Sequence, residues 1–107
     1  MVLMVIMGWY PQNKQSEVEQ AYFSARKKYP YDKSIMKRVI RLGVRATKDG
    51  YKTITVYDIP DGKYTAAIKF EAASMHEYAN IEGFRYEIET YLDMGEAFEI
   101  IGKAVPE

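Results

Sequence analysis

The chain has 107 residues, 48% hydrophobic and 28% charged, and its fifteen basic side chains cancel its fifteen acidic ones. That balance argues against nucleic acid or an anionic membrane as a partner held by bulk charge. With no cysteine and one histidine, disulfides, thiolate zinc sites and multi-histidine metal centres are excluded, and neither a metal nor a cofactor is expected. The length predicts one domain spanning 1–107.

The first segment, Val2 to Tyr10, is apolar without alternation, which predicts a strand buried on both faces. It is too short to span a membrane and lacks a basic n-region, so no membrane association is expected and a cytoplasmic location is. Pro11 ends it. Ser16-Glu17-Val18-Glu19 predicts a capping box, and Val18, Ala21, Tyr22, Ala25 and Tyr29 follow helical spacing. Arg26, Lys27 and Lys28 suit the solvated last turn of that helix, and Pro30 stops it.

Ile40 to Tyr57 reads as a hairpin about Lys48-Asp49-Gly50. A two-residue Asp49-Gly50 loop mixes apolar and polar residues on both faces. A three-residue loop pairs Val44 with Ile54 and Leu42 with Val56. It collects Ile40, Leu42, Val44, Ala46, Ile54 and Val56 on one face. Arg41, Gly43, Arg45, Thr53, Thr55 and Tyr57 then share the other. The three-residue loop is the expectation, with Gly50 at positive φ.

Asp61 is a candidate N-cap for a second helix, whose stripe is Tyr64, Ala67, Ile68, Ala72, Met75, Tyr78 and Ala79. Glu71 falls inside the stripe by angle. Since unpaired burial is costly, it is expected near an edge, reaching water or a partner, with a buried functional carboxylate as the alternative. Phe84 to Leu92 alternates as a half-buried strand. Asp93-Met94-Gly95-Glu96 resembles a capping box for a short helix that ends at Gly102.

The predicted order is strand, helix, strand, strand, helix, strand, helix. It gives an α+β class and a ferredoxin-like βαββαβ sandwich with a short C-terminal helix and a central first strand. The apolar hairpin face is expected against the helices. The opposite sheet face, with half of an apolar first strand in it, suits another sheet. The chain itself is therefore the expected partner, in a homodimer.

The chain resembles the dimeric α/β-barrel superfamily, and within it small stand-alone domains of the GYD type. The resemblance rests on element order, on Gly50-Tyr51-Lys52 opening the third strand, on Val56-Tyr57-Asp58 to Asp61, and on the C-terminal helix. Lys52 stands where an Asp gives those domains their name, so no role of that Asp carries over. The resemblance implies two sheets packed face to face in a dimeric barrel. Its members include monooxygenases, haem-degrading enzymes and proteins without known activity, so it does not select a function.

The expected ligand site lies at the barrel rim or between sheet and helices, lined by Trp9, Arg41, Arg45, Tyr57 and Glu87. An aromatic there stacks, and two guanidiniums of the same strand parity grip a carboxylate or phosphate. Gly43, between them, would leave a vacancy. Arg and Glu rows that pair across the dimer are the structural alternative. His76 reads as a surface histidine. No catalytic nucleophile can be named, and whether the protein is an enzyme stays open. The expected function is a homodimeric small-molecule-binding domain. A cofactor-free monooxygenase- or isomerase-like enzyme is the alternative, and a ferredoxin-like nucleic-acid-binding module the second.

Overall fold

The computed structural model describes residues 1–107. The strands are β1 (Val2–Tyr10), β2 (Lys37–Thr47), β3 (Gly50–Ile59) and β4 (Arg85–Leu92), and the α-helices are α1 (Gln15–Lys28), α2 (Tyr64–His76) and α3 (Met94–Ile100). The strands form one open antiparallel sheet in the order β2-β3-β1-β4. This mixed α+β arrangement is consistent with a ferredoxin-like fold. The apolar β1 is central, as its composition predicts. No helix is long and apolar enough to cross a membrane.

From Leu3 to Tyr10 burial along β1 alternates. Met4, Ile6, Gly8 and Tyr10 are buried, while Leu3, Val5, Met7 and Trp9 are half-buried. The even-numbered set faces α1 and α2 and nucleates the core, where Met4 and Ile6 meet Met36, Tyr57, Ile59 and Ala67. Leu3, Val5, Met7 and Trp9 face the other side of the sheet, away from that core.

The hairpin register differs from the expectation. Thr47 pairs with Gly50 and Val44 with Thr53, so the loop is the two residues Lys48 and Asp49. Gly50 does take positive φ, at +141°. β1 decides which side of β3 is inner: Met4 lies opposite Tyr57 and Ile6 opposite Thr55. Tyr57, Thr55 and Thr53 therefore face the helices, while Ile54 and Val56 face outward. A slip of one residue exchanges faces in this way. Two irregularities in β2, between Arg38 and Ile40 and between Ile40 and Gly43, break its parity as well. Ile40, Leu42 and Val44, expected in the core, are 42%, 45% and 56% exposed.

Helix starts also depart from the motifs. A 3₁₀ turn, Gln12–Lys14, runs straight into α1, which leaves Ser16 inside the helix and its capping box unmade. α2 starts after Lys63 with no side-chain cap, so Asp61 does not serve as one. Asp93 does cap α3, accepting from the Glu96 N–H at 2.8 Å. The C-terminus of α3 closes as expected at Gly102. Its N–H donates to Glu99 O and the Lys103 N–H donates to Phe98 O, both at 3.0 Å, the two bonds of a Schellman motif.

Candidate functional site

A cavity of about 320 Å³ opens between the inner face of the sheet and the two long helices. That is within the range of small-molecule sites. β3 supplies its floor through Thr53, Thr55 and Tyr57. α1 contributes Val18, Tyr22 and Arg26, α2 contributes Glu71 and Ser74, and the turn after α2 contributes Tyr78. Glu71 and Ser74, three apart, lie on one helical face. The mouth is rimmed by Phe23 and Val44, both well exposed, beside Leu42 and Arg41.

One wall is aromatic. Tyr78 stacks on Phe84 with ring centroids 4.7 Å apart, and Phe84 stacks in turn beside Tyr10 at 6.3 Å. Burial pushes the Tyr78 phenol up to about 12. The Tyr57 phenol, 4% exposed, is also pushed up to about 12. Burial is the main cause, the Glu71 charge adds to it, and Arg26 and Arg38 act the other way. Glu71, Arg26 and Arg38 thus converge on Tyr57.

The polar centre is incompletely satisfied. Glu71 is 4% exposed and its Oε1 has no hydrogen-bond partner. Arg26 donates through Nη2 to the buried Ser74 Oγ, yet its Nε is buried without an acceptor. No N–O approach within 4.0 Å joins Arg26 to Glu71. Buried polar atoms without partners are uncommon, and a bound group is one reason for them. The expectation that Glu71 sits near an edge and reaches water is not met, for it is buried with the Arg26 charge and the Tyr57 hydroxyl acting on it. α2 presents it to the cavity, and its place within the apolar stripe is its actual position.

Burial holds the Glu71 carboxyl above its ordinary value of 4.5, with the Arg26 charge and the Tyr57 hydroxyl acting in the opposite direction. An acid whose folded value is raised binds more protons in the native state than in the unfolded one. Stability therefore falls as pH rises from 4.5 through the raised value. Glu71→Gln removes that term. Urea melts are expected to show the variant more stable than wild type at pH 8, with the gap closing at or below pH 4.5. A gap that widens on acidification would contradict a burial-dominated carboxyl.

The structure separates the five residues expected to line a ligand site. Arg41 and Tyr57 border the cavity. Trp9 and Glu87 border a second, more open hollow at the end of the sheet, with Tyr51 and Arg85. Arg45 lies opposite Lys52, which lies opposite Trp9, so Arg45 belongs to the outer face. Arg41 and Arg45 do not share a face because the irregularity before Gly43 intervenes. Gly43 leaves no vacancy, since a Cβ there would meet Ile54 Cγ2 at 2.9 Å. The buried Tyr57 also removes the exposed aromatic that a nucleic-acid surface beside the arginines would need. His76 is exposed. Arg26 and Ser74 were missed by sequence reasoning. The available signal was that Tyr22 and Arg26 are four apart on the face of α1 that carries Val18.

No family model matches the chain, and no curated protein matches it. Among solved structures, a formyltetrahydrofolate deformylase from Pseudomonas putida KT2440 is similar at 10% identity and a TM-score of 0.44. The match covers 83% of this chain, which spans 28% of the length of that one.

Proposed function

We propose that the protein is a homodimeric small-molecule-binding domain whose ligand enters the cavity between sheet and helices. The observation that carries this reading is that Glu71 Oε1 and Arg26 Nε, both buried without a partner, belong to side chains that line one aromatic-walled cavity. A ligand that supplies polar groups to both would relieve two desolvation penalties at once. Apolar walls around a few convergent polar groups are the usual make-up of such sites.

The dimer rests on the outer sheet face. Direct pairing places Val5 beside Val56 and Met7 beside Ile54, with Leu3, Trp9 and Ile40 continuing the apolar area. The true register makes this face more apolar than the sequence suggested. Its charges differ in balance from side to side. Lys37, Arg45 and Lys52 outnumber Asp58 on β2 and β3, and Glu87 and Glu89 outnumber Arg85 on β4. A two-fold axis through the face would set the more basic side against the partner's more acidic side, the self-complementarity that an isologous interface needs. In this reading the dimer closes the barrel of which one sheet is half.

Val44→Trp tests the ligand site at its mouth. Val44 is 56% exposed on an edge strand, so a larger side chain there leaves the core alone. In saturation-transfer NMR against an aromatic fragment library, wild type is expected to bind a subset of fragments. The variant should lose at least about tenfold in affinity for them, the equivalent of about 1.4 kcal/mol. Fragments that bind both proteins equally would place the ligand site elsewhere.

A further inference from the structure

The cavity's charges and unpartnered atoms define the ligand more narrowly, on the reading that a ligand occupies it. Five charged residues line it. Glu19 and Arg41 are exposed at the rim and offset one another. Further in are Arg26, Arg38 and the buried Glu71, two guanidiniums against one carboxyl. The interior is one negative charge short, and buried or half-buried charge needs a counter-charge.

Both guanidiniums carry a buried Nε–H without an acceptor. Arg26 is tied to Ser74 through Nη2, and its Nε lacks an acceptor. The Arg38 guanidinium carbon sits over the Tyr31 ring, 3.8 Å from its centroid, Tyr31 stacks on Tyr57, and the Arg38 Nε also lacks an acceptor. A guanidinium whose face is already stacked recognises a ligand through its N–H edge, and the planar acceptor matched to that edge is a carboxylate. Glu71 Oε1 asks for something different. It needs a donor when ionised, and it can itself donate when protonated. A hydroxyl satisfies it in either state. Between these groups the wall is the Tyr78–Phe84–Tyr10 stack, which favours a flat ring.

We propose that the cavity binds a planar hydroxyaryl carboxylate, its carboxylate on the Nε edges of Arg26 and Arg38 and its hydroxyl on Glu71 Oε1, each reached as its side chain turns toward the ligand. The ring lies against the Tyr78 and Phe84 wall. The negative charge comes from the ligand and neutralises the surplus guanidinium. No bond is made or broken in this assignment.

Isothermal titration of the full chain with three probes tests it. The first is a hydroxynaphthoate with its hydroxyl on the ring remote from the carboxylate, the second is the corresponding hydroxynaphthamide, and the third is naphthoate without the hydroxyl. The hydroxy acid is expected to bind at least about tenfold more tightly than the neutral amide, since hydrogen bonds to charged groups contribute about 1.5–3 kcal/mol. Arg38→Gln should reduce that preference to about twofold or less. Glu71→Gln should alter affinity for the hydroxy acid about tenfold and for naphthoate less than about twofold. The comparison of acid with amide on wild type needs no variant, so it decides the matter even where a substitution unfolds the chain. Equal affinity for acid and amide, both blocked by Val44→Trp, would overturn the carboxylate assignment and leave the small-molecule reading standing. Failure of all three probes while library fragments bind would overturn it in the same way. Failure of probes and fragments together would remove both.

Discussion

Gly50→Ala should destabilise the fold by about 3 kcal/mol or more, the largest loss expected from any single added methyl group in this chain. Two physical terms combine there. Gly50 has φ +141°, a region that residues with a Cβ enter only at a cost of about 1–3 kcal/mol. The added Cβ would also lie 2.2 Å from the Tyr10 carbonyl oxygen and 3.0 Å from Pro11 Cα, both backbone atoms with nowhere to go. The hairpin end is pressed against the exit of β1, and only a hydrogen fits between them. Gly62→Ala separates the terms. Gly62 has φ +79°, and a methyl group there would meet nothing within 4 Å, so its loss should be conformational alone, about 1–2 kcal/mol. Urea denaturation followed by circular dichroism measures both. Equal losses at the two glycines would mean that β3 does not approach β1 as closely as described.

Ile54→Asp should convert the proposed dimer to a monomer without unfolding the chain. Ile54 lies on the outer face, directly between Met7 and Gly43. Its side chain fills the space that Gly43 leaves open. In a single chain the new carboxylate reaches water. Under a partner sheet it would be buried without a counter-ion, at a cost of several kcal/mol. Each 1.4 kcal/mol is tenfold in the dissociation constant, so weakening by about a thousandfold or more is expected. At micromolar concentration wild type should sediment at twice the 12.4 kDa chain mass and the variant at 12.4 kDa. Wild type sedimenting only as the single chain would end the dimer proposal.

Element order, the central place of β1, the Asp93 cap and the positive φ of Gly50 were all legible in the sequence, because each depends on local pattern or on one residue type. The facing of β3 was not. Ile54 and Val56 make one of its sides apolar, while Tyr51, Tyr57 and Ile59 make the other nearly as much so. Hairpin logic alone therefore has two solutions of similar merit. Long-range pairing of Met4 with Tyr57 settles the choice, and no local signal reports that pairing. The same inversion exchanged the expected site residues, carrying Tyr57 into the cavity and leaving Arg45 outside it. Glu71 was visible by helical angle inside an apolar stripe, and the general cost of burying a carboxylate argued it to the edge. Arg26 was legible as a helix-terminal cation. Its turn toward Ser74 depends on how α1 crosses α2, which spacing along one helix does not encode.

The most direct test of the central claim is a crystal structure of the protein with the aromatic fragment that binds most tightly in solution. That fragment is expected between sheet and helices, with a polar atom within hydrogen-bond distance of Glu71 Oε1 and another of Arg26 Nε, and its ring along Tyr78 and Phe84. A fragment seated instead in the hollow beside Trp9, with Arg26 and Glu71 closed into a direct ion pair across a collapsed cavity, would contradict the claim.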